Sequence, residues 1–126
     1  MDELRGVRIL LIDDDEDTRA LYALALGEAG AEVRSAADGA EAVRFTAEWL
    51  PAVVVSDLVI PGTDVVALLR ELRALHPSQQ IPAVAVSGRS STKDREDALA
   101  SGFQEHAGKP LIPHDLIEIV KCFTNS

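Results

Sequence analysis

One carboxylate, Asp57, stands where a reacting group would be expected. It follows Val53, Val54 and Val55, a β-branched run with no alternating polar residue. Such a run predicts a strand that is covered on both faces, as in a parallel sheet. Pro61-Gly62 then breaks the chain, so Asp57 comes at the end of the strand, just before a loop. In open parallel sheets, ligands bind and reactions take place at the edge formed by the carboxyl ends of the strands.

Three further apolar runs also end in polar residues. Residues 7–12 end in Asp13 and Asp14, residues 81–86 end in Ser87, and a weaker run at 103–107 is soon followed by Lys109. Right-handed crossovers between parallel strands place every carboxyl end on one edge of the sheet. We therefore expect these side chains to meet Asp57 in space.

This combination of residues indicates phosphoryl transfer. Three clustered carboxylates repel one another unless a cation lies among them. Oxygen ligands without histidine or thiol favour Mg²⁺, which can also bind a phosphoryl oxygen. Lys109 would supply a second positive charge and Ser87 a hydroxyl donor. The set suits a carboxylate that attacks phosphorus and becomes an aspartyl phosphate.

Simpler interpretations compete for each residue. Asp15, Glu16 and Asp17 are best explained as the acidic first turn of a helix. Ser87 alone would be a helix cap and Lys109 alone a surface charge. For each residue taken alone, the simple structural explanation is better than a functional one. Four polar residues or pairs that each follow a strand end together favour a site.

Two other sites made of acidic residues fail on spacing. A calcium loop starting at Asp13 needs glycine where Thr18 stands and glutamate where Leu24 stands. A phosphatase with a second acid two residues after the nucleophile would need an acid at Val59. No glycine-rich nucleotide loop follows the first strand.

The composition sets further limits. The 126 residues suit one domain, 1–126, and we expect no effector domain within it. A formal charge of −9 argues against direct binding to nucleic acid or to an anionic membrane. The acidic start, the lack of a long apolar segment and the single Cys122 predict a cytoplasmic protein.

Five predicted strands alternate with five helices, which indicates an α/β fold with helices on both faces of a parallel sheet. Helical spacing predicts the buried faces of the first three helices: Leu21, Leu24, Ala25 and Glu28; Ala40, Val43, Ala47 and Leu50; Val65, Leu68, Leu69, Leu72 and Leu75. The fourth helix has a weak stripe of Ala98 and Leu99, which fits a mobile element, and the fifth runs from about 113 to 123.

Over nearly its whole length the chain resembles the receiver domains of two-component response regulators. The matching marks follow the first, third, fourth and fifth strands: Ile12-Asp13-Asp14, Ser56-Asp57 with Ile60-Pro61-Gly62, Ser87-Gly88, and Lys109-Pro110. The resemblance implies a flavodoxin-like doubly wound sheet of strand order 2-1-3-4-5. That order puts the first and third strands side by side.

The resemblance also implies a role for each site residue. Asp57 would be the phosphoacceptor, with Asp14 and Asp57 as direct Mg²⁺ ligands, Asp13 acting through water and Val59 offering its backbone carbonyl. Lys109 would pair with the phosphoryl group, after a cis Lys109-Pro110 peptide that aims it inward. Ser87 would move to bond the phosphoryl oxygens.

The function expected from the family is a phosphorylation-dependent switch. A histidine kinase or a histidine phosphotransfer protein would supply the phosphoryl group. The change would reach a downstream protein through the face of the fourth helix, fifth strand and fifth helix, where a homodimer is also common among relatives. The domain would catalyse only its own phosphorylation and dephosphorylation. The alternatives are an interaction module of the same fold that has lost phosphorylation, and a true phosphatase or other hydrolase.

Some positions differ from the usual family pattern. Val65 stands where glycine commonly follows Asp64, and His106 stands where the family has a Tyr or Phe switch. A histidine there would make the output sensitive to pH. The alternative is a partly exposed strand histidine without a switching role. Phe103 and His106 are similar to those of receivers attached to hybrid sensor kinases, although a stand-alone receiver fits as well.

Overall fold

The computed structural model describes residues 2–124 as a five-stranded parallel sheet with order β2-β1-β3-β4-β5 and five helices. The predicted fold and strand order are confirmed. The elements in chain order are β1 (Arg8–Ile12), α1 (Glu16–Glu28), β2 (Glu32–Ala36), α2 (Gly39–Glu48), β3 (Val53–Asp57), α3 (Val65–Leu75), β4 (Ala83–Ser87), α4 (Thr92–Ala100), β5 (Glu105–Gly108) and α5 (Pro113–Thr124).

The central strand β3 is covered on both faces, as its valines predict. Val54 packs into a core with α2 and α3, while Val53 and Val55 pack into a second core with α1 and α5. Successive side chains of a strand point to opposite faces, so an all-apolar run fills both cores. The registers Ile12↔Ser56, Asp57↔Val86 and Ser87↔Gly108 align the carboxyl ends of the strands at one edge.

The buried faces of α1 and α2 differ from the predicted ones. In α1, Tyr22 and Leu26 are buried, while Leu21 and Leu24 are 51% and 62% exposed. Nearly every residue from 20 to 26 is apolar, so spacing alone does not select one stripe. The Tyr22 hydroxyl decides the face, because it donates to the carbonyl of Leu111 at 2.9 Å.

In α2 the buried residues are Ala42 and Thr46. Of the predicted face, Val43 and Leu50 are partly buried against the same core as Ala42, whereas Ala40 and Ala47 are exposed. The Thr46 hydroxyl donates to the carbonyl of Ala42 at 2.9 Å, which lets a polar side chain enter the core. A pattern that counts threonine as polar misses this face.

The predicted face of α3 is confirmed for Val65, Leu68, Leu69 and Leu72, although Leu75 is 39% exposed. In α4 only Ala98 is buried, as its weak stripe predicts, and Leu99 is exposed. Strand β5 begins at Glu105, later than predicted, because Phe103 and Gln104 lie in the connection from α4. Within residues 2–124, none of the helices has the length and apolar character needed to cross a membrane.

Candidate functional site

The acidic loop between β1 and α1 lies beside the end of β3, because β1 and β3 are neighbours in the sheet. Asp13 is buried and Asp14 is exposed. One carboxylate oxygen of Asp13, Oδ1, accepts from the backbone N–H of Asp15 at 2.9 Å. The carbonyl oxygen of Asp13 accepts from Nη1 of Arg19 at 2.8 Å. The loop therefore holds the Asp13 side chain in one direction.

Lys109 bridges two of the carboxylates. Its ammonium Nζ lies 3.0 Å from Oδ2 of Asp13 and 3.0 Å from Oδ2 of Asp57. Burial alone would lower the pKa of Lys109, but the hydrogen bonds and charges of Asp57 and Asp13 outweigh it and raise the pKa above its ordinary value. The amine is thus held in its charged form. The Lys109-Pro110 peptide is cis, as expected.

The three carboxylates form a compact cluster. One oxygen from each of Asp13, Asp14 and Asp57 lies within 4.8 Å of the others. The donors are all oxygens, and Asp14 faces solvent, which suits an ion that keeps several waters. These three residues fit Mg²⁺ in donor type and in spacing, and together they would bind it.

Ser87 and Val59 lie at the same edge with different partners. Ser87 is buried, and its hydroxyl oxygen accepts from the backbone N–H of Arg89 at 3.1 Å. Among the hydrogen bonds of residues 2–124, none joins this hydroxyl to Asp57 or Lys109. The backbone N–H of Val59 donates to Oδ1 of Asp57 at 3.0 Å. The roles expected for Ser87 and for the Val59 carbonyl stay predictions.

His106 lies in β5 and is 8% exposed. Its ring atom Nε2 is buried and has no hydrogen-bond partner in the part of the chain that the structure describes. The partly exposed histidine of the alternative is therefore wrong for this conformation. A switching role stays a prediction.

Asp15 serves the helix rather than the cluster. It is the N-cap of α1, and its side chain accepts from the backbone N–H and the hydroxyl of Thr18. These hydrogen bonds lower the pKa of Asp15. The interpretation of Asp15 as part of a helix start is confirmed.

Arg19 was not among the predicted site residues. The only feature of the sequence that points to Arg19 is its position, one turn into a helix that follows an acidic loop. A basic residue at such a position usually belongs to a solvated helix face. The contact with the Asp13 carbonyl depends on the path of the loop, which the sequence pattern does not specify.

The fold and the strand order agree with comparisons to known proteins. The family described as the response regulator receiver domain matches residues 9–121. The chain belongs to this family, the receiver domains of two-component response regulators.

The chain matches one curated relative over nearly that protein's full length and others over about half of theirs. The 14.6 kDa protein of the sodA1 3′ region of Leptolyngbya boryana is 36% identical over 123 residues, covering 98% of this chain and 94% of that protein. The transcriptional regulatory protein PrrA of Mycobacterium tuberculosis is 37% identical over 115 residues, covering 91% of this chain and 48% of PrrA. The chain therefore spans about half the length of this regulator.

Solved structures also match this chain over nearly all of its length. A CheY-like receiver domain protein from Methanospirillum hungatei matches with a TM-score of 0.81 and 27% identity, covering 92% of this chain and 91% of that one. NtrX from Brucella abortus matches with a TM-score of 0.84 and 30% identity, covering 94% of this chain but 26% of NtrX.

Proposed function

We propose that this domain is a switch in which Asp57 accepts a phosphoryl group with the help of Mg²⁺. The proposal rests above all on one observation: the Lys109 amine lies 3.0 Å from both Asp13 and Asp57, with the Asp14 carboxylate in the same cluster. A surface lysine or a solvated helix start would not bring together residues from three separate strand ends.

The chain's own residues would carry the transfer. A carboxylate oxygen of Asp57 forms the new bond to phosphorus, and the bond from phosphorus to the donor breaks. For a phosphohistidine donor, the leaving imidazole nitrogen takes up the proton it needs from solvent. The Val59 N–H fixes the orientation of the Asp57 carboxylate before attack. A bound Mg²⁺ would offset the negative charge of the acids and of the phosphoryl oxygens.

The Lys109 amine would change its partner when the phosphoryl group arrives. Before transfer its amine pairs with Asp13 and Asp57; afterwards, the new phosphoryl oxygens offer it a stronger partner. Asp13 keeps the amine at the site, because its other oxygen is held by the Asp15 N–H. The same groups would serve hydrolysis, so the domain would catalyse only its own phosphorylation and dephosphorylation.

Exposed apolar side chains mark where the phosphodonor would dock. Leu21 and Leu24 lie on α1, which starts directly after the acidic loop, and Ile112, 59% exposed, follows Lys109 by three residues. The bond from Tyr22 to the Leu111 carbonyl holds these two regions together. A histidine kinase or a histidine phosphotransfer protein would cover this apolar rim while offering its phosphohistidine to Asp57.

The conformational change would reach a downstream protein through the face formed by α4, β5 and α5. Phosphoryl oxygens on Asp57 would attract the Ser87 hydroxyl, which now accepts from the Arg89 N–H at the end of β4. Residues 88–91 link Ser87 to α4, the helix with the fewest buried residues among the five described. Movement of Ser87 would therefore shift the population of α4 arrangements. Strand β5, which carries His106, contacts α4.

The test is phosphorylation by a small acyl phosphate with Mg²⁺, followed by intact-mass measurement. We expect one acid-labile phosphoryl group on the wild type, and none after Asp57→Asn or after Mg²⁺ is chelated. Asp64→Asn is the matched control, because Asp64 caps α3 from the loop after the same strand and asparagine caps helices equally well. Equal uptake by Asp57→Asn would refute the proposal. A folded wild type that binds no Mg²⁺ and takes up no phosphate would favour the interaction module.

A further inference from the structure

We propose that Arg19 is a positioning residue that aims Asp14 at the acid cluster and so sets the cluster's affinity for Mg²⁺. This inference rests on the proposed function, because it concerns the same metal site. Arg19 itself donates to a backbone carbonyl, that of Asp13, at 2.8 Å.

The contact acts on the backbone that carries Asp14. The carbonyl of Asp13 belongs to the peptide unit that joins Asp13 to Asp14, and a peptide unit is planar. Holding its oxygen therefore fixes the direction in which the Asp14 backbone leaves. Among the hydrogen bonds of residues 2–124, none reaches the Asp14 carboxylate, so the aim of this side chain depends on its backbone.

The guanidinium has a rigid base. Arg19 lies in the first turns of α1, and its own N–H donates to the carbonyl of the N-cap residue Asp15 at 2.9 Å. Helix α1 is held in turn by the buried Tyr22 and Leu26. Site residues supported from a helix are held more tightly than those supported from a loop.

Arg19 also places its charge differently from Lys109. The Lys109 amine occupies one carboxylate oxygen of Asp13 and one of Asp57. Arg19 brings a second cation to the acidic loop but bonds a carbonyl, so it leaves the carboxylate oxygens to the metal. A positive charge by itself would oppose Mg²⁺ binding, whereas correct aim of Asp14 would favour it.

These two effects have opposite signs, which gives a decisive experiment. Mg²⁺ is titrated calorimetrically into the full chain as wild type, Arg19→Met and Arg19→Lys. Losing a hydrogen bond from a charged donor corresponds to binding that is roughly tenfold weaker in Arg19→Met. Arg19→Lys restores a charged donor and should bind within about threefold of the wild type.

Arg44→Met is the matched control, because it removes the same charge from an exposed residue of α2 that pairs with Glu41. It should leave Mg²⁺ affinity unchanged. In the metal-free protein, Arg19→Met should also speed exchange of the Asp15 amide, whose hydrogen bond to Asp13 Oδ1 depends on the same loop. Denaturant unfolding without metal checks that each variant is folded.

Equal or tighter Mg²⁺ binding by Arg19→Met would overturn the inference, since charge alone would then explain the contact. Equal weakening by Arg44→Met would overturn it too. If the wild type itself binds no Mg²⁺, the proposed function fails and the inference fails with it. That outcome is recognised without any variant.

Discussion

Helices α3 and α4 pack against the same face of the sheet but are held in different ways. Helix α3 buries four apolar side chains: Val65, Leu68, Leu69 and Leu72. Helix α4 buries only Ala98, and most of its other residues are charged. It is held instead by a capping box between Ser91 and Asp94 and by surface ion pairs such as Arg95 with Glu105.

The difference indicates that α3 belongs to the fixed frame of the receiver and that α4 is the part that can move. Burial of apolar surface is the main stabilising term, while exposed ion pairs contribute little. Helix α4 should therefore open locally, at a free energy well below that of global unfolding, whereas α3 opens only with the whole domain. A switch needs both, because a movable element needs a fixed surface against which to move.

The largest effect is expected in the core of α3. Leu72→Ala removes a fully buried side chain and should lower the free energy of unfolding by about 2–5 kcal/mol. Leu75→Ala in the same helix, at a residue that is 39% exposed, is the control and should cost less than about 1 kcal/mol. Denaturant unfolding measures both. If the two variants lost equal stability, α3 would not be the anchored helix.

A smaller effect is expected at the contact that joins the two helices. Arg73, near the end of α3, donates to the carbonyls of Ile81 and Gly102 at 2.8 Å each. It also donates to the side-chain oxygen of Gln104, which accepts from the Ala83 N–H as well. Partial burial lowers the pKa of this guanidinium, but arginine stays charged at any ordinary pH. Arg73 thus ties the end of α4 to the frame.

Arg73→Met should lower the free energy of unfolding by roughly 1.5–3 kcal/mol, because carbonyls lose a charged donor. It should also speed amide exchange in α4, since the connection at Gly102 is released. Arg70→Met, one turn earlier on the exposed side of α3, is the control and should change neither measurement. An equal loss in both variants would mean that lost charge, rather than the tie, causes the effect.

Much of this arrangement could be predicted from the sequence. The valine run of β3, the stripe of α3 and the weak stripe of α4 follow from periodicity, because each contrasts clearly with its surroundings. The meeting of Asp13, Asp57 and Lys109 follows from the single hand of the crossovers. The strand order itself came from the family resemblance, because alternation of strands and helices permits several orders.

The parts that could not be predicted depend on single contacts. The buried face of α1 is chosen by one hydroxyl, that of Tyr22, and the face of α2 includes the polar Thr46. The contact from Arg19 to the Asp13 carbonyl depends on the loop path. The present partner of Ser87, the Arg89 N–H, likewise belongs to a loop conformation. Periodicity describes elements, whereas these contacts join elements to loops.

The smallest effect is expected from removing the N-cap of either helix. Asp64 caps α3 by accepting from the Ala67 N–H, and Ser91 caps α4 by accepting from the Asp94 N–H, each at 3.1 Å. Replacing either cap by alanine should cost about 1 kcal/mol in the free energy of unfolding. The two variants should therefore look alike in denaturant, which reports only the whole domain.

Amide exchange should separate the two cap variants. Ser91→Ala lowers the free energy of opening α4 and should speed exchange of its amides about fivefold. Asp64→Ala destabilises the closed and the locally opened forms equally, because α3 stays folded in both, so exchange in α4 should not change. If Asp64→Ala accelerates the α4 amides as much as it accelerates those of the sheet, then α4 opens only when the whole domain unfolds. The contrast between a fixed α3 and a movable α4 would then be wrong, and the switch would need another moving part.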